Sequence, residues 1–440
     1  IKSLFSSYKS NFKIFFKKYD KYINKNRMHD VFLSSQSIKE KRMDKFPKIV
    51  IATDKFKGTL NASEAADAIK NGILKRGLDS RCDIENLKRN ITTFAMADGG
   101  EGSLKVMEKG LKLSGKETHI EYIDALNHIG EQIKVPILLY NDSKSAFIEM
   151  ATICGLSLVP KERRNLLRST TYGFGDTLRY VIEDMGIRDI TIAIGGSGTN
   201  DAGFGALTAL GFRYHNNCVF KNRDFAEFME NITAIEDKFV SGVTPHLKET
   251  KIKVACDVNN PLLGENGATM VYGPQKGGTP EELQRIENSL KIWAKAIEDK
   301  YGEGSANFPG AGAAGGIGFI LHTILGAEMR PGWELFAEML GLEEAISSAD
   351  YVFTGEGKFD RQSLAGKLPV GIARICSKYN KPLFLVTGKI DNVTKEEIKV
   401  TGISDFIELN NNSHDKSPFS YAREIIVEEV SKLMKNKGIL

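Results

Sequence analysis

Short apolar runs of strand length, each ending in a loop of glycine and acid and followed by a helical stretch, limit this chain to few architectures. KIVIATD (residues 48–54) is one such run, and NASEAADAIKNGILKRG follows it. There Asn61 and Glu64 have capping-box spacing, apolar residues recur at intervals of three and four, and Gly77 is expected to close the helix. The pattern returns toward the C-terminus in DYVFTG, PLFLVTG and DFIEL, separated by LPVGIARICSKYN and followed by SYAREIIVEEVSKLMKNK. Strands joined through helices cross over and run parallel, which predicts a doubly wound α/β sheet. The middle of the chain adds KSAFIEMA, DITIAIG, KIKVACDV and ATMVYG as further strands. It also holds a strongly signalled helix over 280–301, capped by Thr279 with Pro280 at its first position and Glu282 completing the box. So much non-repeating material predicts a second α/β domain, residues 96–334, inserted between 46–95 and 335–440.

Charge is unevenly placed. Eleven of the 60 lysines and arginines and three of the 56 acids lie before Met43, so residues 1–42 carry +8 and the remainder −4. A mildly acidic body argues against nucleic acid as a partner. Residues 1–42 are expected to be a disordered or non-native extension, with a basic membrane-surface or targeting segment as the alternative. The apolar runs are far shorter than the roughly 20 residues of a membrane helix. Five scattered cysteines with no CxxC are expected to be reduced thiols of a cytoplasmic protein.

Five loops after expected strands share one composition. They supply Asp54, Lys55, Lys57 and Gly58; Asp98, Gly99, Gly100, Glu101 and Gly102; the stretch GGSGTNDAG from Gly195; Asp257; and Glu356, Asp360 and Lys367. Glycine lets backbone N–H groups approach an anion, lysine offsets phosphate charge, and Mg²⁺ takes one or two carboxylates beside phosphate and water. Together they predict phosphoryl transfer from a nucleotide, at the carboxyl ends of strands. Other readings lack their parts. Gly310–Gly315 matches G-x-G-x-x-G but follows no strand, and each Gly-Lys pair is followed by something other than Ser or Thr, excluding a Walker A loop. None of the seven histidines forms HExxH or a Ser-His-Asp set.

IVIATDKFKGTLNASEAADAI, MADGGEGS, TTYGFGDTL, IGGSGTNDAGFGAL, ACDVNNPLLGENGA, GPQKGGTPEEL, PGAGAAGGIG and TGEGKFDRQSLAGKLPVGIA, in this order, closely resemble the bacterial glycerate kinase family, which phosphorylates D-glycerate with ATP. The resemblance covers about Lys48 to the 430s. It implies one flavodoxin-like domain and one inserted domain with the active site in the cleft between them, ATP as cosubstrate and Mg²⁺ as cofactor; separately, a monomer or homodimer without nucleic-acid or membrane partners is expected. It leans toward the 2-phosphoglycerate branch. The chain departs from the family pattern at Thr53 and Lys55, where Pro and Ser are usual, and at Gly198 and Ala202, where Ala and Gly are usual.

On that resemblance Asp201 or Asp98 is expected to orient or deprotonate the substrate hydroxyl, the other reading being a metal ligand or loop cap. Lys57 is expected to neutralise the transferring phosphoryl group. Asp257, Glu356 and Asp360 are candidate Mg²⁺ ligands, two of which would be turn formers instead. Substrate and phosphate contacts are expected from Asp54, Lys55, Gly99, Gly100, Glu101, Thr199, Asn200 and Lys367, with Arg168 receiving the glycerate carboxylate. The backbones of Gly195, Gly196 and Ser197 and of Gly312, Gly315 and Gly316 are expected to cradle phosphates.

Overall fold

The computed structural model describes residues 46–56, 58–216, 224–235, 245–409 and 418–440. The expected N-terminal extension, 1–42, and Lys57 lie outside them. Strand β1 (Ile49–Thr53) is buried at all five positions, as a strand covered on both faces must be. It is flanked by β2 (Ile91–Ala95) and β11 (Tyr351–Phe359), and beyond β11 lie β12 (Leu383–Ile390) and β13 (Asp405–Glu408), all parallel. Counted within this first sheet the order is 2-1-3-4-5, the flavodoxin-like order, whose direction of winding reverses between β1 and β11. Ile49, Ile51 and Thr53 alternate with Val50 and Ala52. The latter two join a core with Met107 and Leu111 of helix Ser103–Leu113 and Phe336 and Leu340 of helix Gly332–Leu340. Helix Ala62–Asp79 packs on Pro418–Asn436, with Gly72 close against Val427 and Val430.

The second sheet is mixed, in the order β10-β9-β6-β5-β4-β3. Its hairpin β3 (Thr118–Leu126) and β4 (Gln132–Tyr140) is antiparallel, β5 (Ser145–Glu149) pairs antiparallel with β4, and β6 (Asp189–Ala193), β9 (Lys251–Ala255) and β10 (Glu328–Arg330) continue in parallel. Strands β7 (Tyr214–Asn216) and β8 (Ile232–Ile235) form a separate ribbon. One face of the second sheet contributes Leu138, Tyr140 and Phe147 to the core shared with the first, and Phe147 meets Phe336 edge to face at 5.9 Å. The other face is covered by helices Tyr172–Glu183, Pro280–Tyr301 and Ala313–Thr323 around Phe174, Trp293 and Ile320. All of the second sheet falls, in sequence, between β2 and β11.

Two expected elements differ. Gly77 does not end its helix, which runs on to Asp79; it is glycine because a Cβ there would meet Leu87 Cδ2 at 2.5 Å. ATMVYG forms the helical turn Ala268–Tyr272 rather than a strand. Its apolar run is too short for periodicity to separate the two, and packing between helices Pro280–Tyr301 and Ala313–Thr323 decides it.

Candidate active site

At the carboxyl end of β1, where the winding reverses, the Asp54 N–H donates to the Gly355 carbonyl at 2.9 Å, and the Met96 N–H to that of Thr53 at 2.9 Å. Three strand ends are thereby held level. Lys55 Nζ, from the first, reaches Asp98 Oδ2, from the second, at 2.8 Å. The Asp98–Gly100 turn is pinned against the second sheet: Gly195 N–H donates to the Gly99 carbonyl at 2.9 Å, and Gly332 N–H to Asp257 Oδ1 at 2.7 Å. A Cβ on Gly195 would lie 2.8 Å from Gly100 Cα, and one on Gly332 2.6 Å from the Asp98 carbonyl carbon. These glycines admit a neighbouring loop.

Asp54, Asp98, Asp257 and Glu356 thus share one recess with Lys55, and the charge of Lys367 reaches it. Burial works against the charge on Lys55, yet Asp98, with Asp54 and Asp257 behind it, holds the ammonium above the ordinary lysine value. Burial likewise opposes ionisation of Asp98, but Lys55 outweighs it and keeps this carboxyl below the usual range. Asp257 and Glu356 go the other way. Burial, with Asp98 and Asp54 adding their charge, pushes Asp257 up to about 7 against the Gly332 amide. Burial, with Asp54 and Asp360 nearby, pushes Glu356 up to about 7 although Ser363 and Lys367 pull it down. Glu356 is buried and its Oε1 has no partner among the described residues. Asp257 retains exposed surface, so for it the crowding by carboxylates is the firmer cause.

Raised carboxyl pKa values set activity and stability in opposition. The two groups gain their charge only as pH rises through about 7, so turnover at limiting ATP is expected to climb tenfold or so from pH 6 to a plateau above 7.5, with apparent values that belong to the coupled pair. The folded chain holds these protons more tightly than the unfolded one, so their contribution to stability is present below the unfolded values and lost as pH rises to about 7. A pH–rate profile beside urea denaturation at pH 5 and 8 checks both slopes.

The other expected residues divide. Asp360 caps helix Arg361–Leu364, accepting from the Gln362 and Ser363 amides, and pairs with Lys358 at 3.3 Å, which makes it the turn former of the acidic set. Lys367 is exposed, bonds Gln362 Oε1 at 3.0 Å, and opens helix Leu368–Lys378. Arg168 is exposed on the turn Leu166–Arg168. Glu101 is exposed and accepts from Ser157 Oγ at 3.0 Å. Among the described residues, no three His, Cys, Asp or Glu side chains are grouped to hold a metal ion unaided.

The loop after β6 is largely interior. Thr199, Asn200 and Asp201 are wholly buried. Asp201 Oδ2 accepts from Thr171 N–H (2.8 Å), Thr171 Oγ1 (3.0 Å), Thr170 Oγ1 (3.3 Å) and Gly205 N–H (3.1 Å), while Oδ1 accepts from Gly203 N–H (3.2 Å). Burial still drives its pKa upward against these donors. The expected assignment of Asp201 as base is therefore met by a wholly buried carboxylate that already accepts from five donors, four of them on Oδ2; it ties helices Tyr172–Glu183 and Phe204–Ala209 together. Gly312, Gly315 and Gly316 also serve packing, since Cβ atoms there would fall 2.2 Å from the Pro261 carbonyl oxygen, 1.9 Å from that of Thr199 and 2.7 Å from Leu262 Cδ1. At Gly198 the alanine of the family pattern would lie 2.8 Å from His128 Nε2, and Ala202, where glycine is usual, takes a left-handed φ of 42°.

Three residues escaped the sequence reading. Glu149, at the end of β5 and buried, accepts from Gly102 and Leu104 N–H with one oxygen each at 2.7 Å, capping helix Ser103–Leu113 behind the Asp98 turn. Lys276, also buried, donates to the Thr199 carbonyl at 2.6 Å and to Ser197 Oγ at 3.2 Å. Buried His128 sits against Gly198. Glu149 and Lys276 have no local signal: an acid ending an apolar strand and a lysine in GPQKGG look like surface residues until the fold closes over them.

Residues 49–435 match the model of the glycerate kinase family. The chain belongs to that family. It is 38% identical over 343 residues to the glycerate 2-kinase of Escherichia coli K12, covering 78% of this chain and 85% of the relative, and 38% identical to a glycerate kinase of Halalkalibacterium halodurans with the same shares. A crystal structure of a putative glycerate kinase 2 from Salmonella typhimurium LT2 superposes with a TM-score of 0.72 at 32% identity, covering 90% of this chain and all of that one. Membership in the glycerate kinase family makes the chain an ATP-dependent kinase with an α/β fold, as the sequence led us to expect. Among the described residues no helix is long and apolar enough to cross a membrane.

Proposed function

We propose that the chain transfers the γ-phosphoryl group of ATP to the 2-hydroxyl of D-glycerate in the recess where β1, β2 and β11 end. The observation that carries this reading is the convergence of Asp54, Lys55, Asp98, Asp257 and Glu356 at the winding reversal of a flavodoxin-order sheet, in a chain of this family. Asp98 is our candidate for the group that accepts the hydroxyl proton: it is part-exposed, ionised and at the mouth of the recess, whereas Asp201 is sealed. A low basicity suffices because phosphoryl transfer depends mainly on positioning and charge. Lys55 stands ready to take an anionic oxygen in place of Asp98.

Mg²⁺ fits the same residues. Glu356 Oε1, which has no partner among the described residues, and the carboxylate of Asp257 are the oxygens that would hold it, and one or two protein ligands suffice for an ion that arrives on a nucleotide. When bound, the ion offsets negative charge on the phosphates. The residues themselves bind and orient: Gly195 and Gly332 keep the acid-bearing turns in register, and the charge of Lys367 acts on Asp257 and Glu356.

The regiochemistry rests on the name of the Escherichia coli relative and is tested by product. Incubation with Mg-ATP and D-glycerate is expected to give a product that enolase alone converts to phosphoenolpyruvate. Conversion only after phosphoglycerate mutase is added would place the phosphate on the 3-hydroxyl, and ADP release indifferent to glycerate would overturn the substrate.

A further inference from the structure

We propose that Lys276 is a positioning residue for the substrate carboxylate, acting through the Ser197 hydroxyl; the proposal rests on the glycerate kinase reading above. Lys276 Nζ donates to Ser197 Oγ, so the Ser197 proton must be donated elsewhere, and it finds no acceptor among the described residues. The N–H groups of Gly196 and Ser197 also donate to nothing among them; Gly196 N–H sits in a turn whose φ of 79° is left-handed, and its carbonyl is taken by Leu156 N–H. Two successive unpaired amides beside an unpaired hydroxyl proton, at a left-handed turn, are the donors an anion requires. It has a mouth, because Gly196 is exposed while Ser197 is nearly buried. It lies beside the reaction site, because the preceding residue, Gly195, bonds Gly99 next to Asp98.

The charge behind the seat is only partly compensated. Lys276 makes no ion pair among the described residues, its two acceptors are a carbonyl and a hydroxyl, and burial depresses its pKa to about 7, with Asp201 only partly restoring it. Arg164, on the same side, spends its guanidinium on the carbonyls of Leu156, Val159 and Gln275. His128, the third basic group there, is held neutral by burial and by the charges of Lys276 and Arg164, its pKa lowered to about 4. A buried ammonium without a counterion is costly, and an anion bound at Ser197 supplies one. A single cation screened by a hydroxyl suits a monoanion such as a carboxylate, whereas multiply charged phosphates would be met by Lys55 and Lys367. The exposed Arg168, expected from sequence to take this role, is not needed for it.

The test uses Ser197→Ala, Lys276→Met and the double variant of the full chain, with D-glycerate and its neutral amide as alternative substrates. Wild-type turnover of D-glycerate is measured first, and its absence would sink the parent reading rather than this one. With turnover established, each single change is expected to raise KM for D-glycerate roughly tenfold to a hundredfold, the range for hydrogen bonds to a charged partner, while KM for ATP moves less than about twofold. The preference for acid over amide is expected to shrink by a similar factor, a readout that loosened loop packing alone would not move. The double variant is expected to be no worse than the poorer single one, because Lys276 acts through Ser197. An unchanged acid-to-amide ratio in Ser197→Ala, or a rise in KM for ATP instead, overturns the proposal, and that variant decides it even where Lys276→Met does not fold.

Discussion

Asp98→Asn is expected to lower kcat by about 10²- to 10⁴-fold, the usual worth of a positioned acid–base group, while leaving the unfolding midpoint nearly unchanged. The substitution keeps an oxygen for the Gly100 amide, which now binds Oδ1 at 3.1 Å, so the turn retains its internal bond. What disappears is the charge facing Lys55 and the lone pair available to a hydroxyl proton. The Lys55–Asp98 pair is partly exposed on both sides, and pairs of that kind contribute about 1 kcal/mol or less to stability. Folding therefore has little at stake in Asp98 and chemistry has much. Steady-state kinetics beside thermal unfolding measures both, and a variant that keeps more than about a tenth of wild-type kcat would remove Asp98 from the reaction.

How much of this was legible depended on the reach of each cause. Capping boxes are local, and those at Asn61 and Thr279 form as the spacing requires. The strand–helix alternation is also local, and it carried the parallel first sheet. The hairpin of β3 and β4 was not anticipated, because the large apolar side chains of Tyr122 and Leu126 lie on its exposed face and hide the two-residue period in the sequence. At the site, the composition of the loops after β1, β2, β9 and within β11 singled out acids that the fold brings near one another, since an acid at the carboxyl end of a buried strand has few structural reasons to be there. Glycine was the ambiguous letter. Gly195, Gly312 and Gly315 share the look of a phosphate loop, yet each accommodates a protein backbone arriving from far along the chain, and no spacing rule distinguishes the two uses. Lys276 and Glu149 were invisible for the same reason: burial is a property of the assembled fold.

Asp201 was expected either as the base or as a loop cap, and Asp201→Ala separates the two readings. The substitution leaves the amides of Thr171, Gly203 and Gly205 and the hydroxyls of Thr170 and Thr171 facing a void in a site with no solvent. Each buried donor left unpaired costs about 1–3 kcal/mol, and even with partial relaxation a total of roughly 4 kcal/mol or more is expected, a large share of the 5–15 kcal/mol typical of a folded domain. Urea denaturation is expected to show that loss directly. If Asp201 only organises the loop, the molecules that remain folded, kept so by low temperature and saturating substrate, retain kcat within about tenfold of wild type, since Asp98 and the recess are intact. If Asp201 is the base, the same molecules are folded and inactive, and Asp98→Asn in parallel stays active. The two variants thus predict opposite pairs of stability and turnover, so one set of measurements on both assigns the proton acceptor.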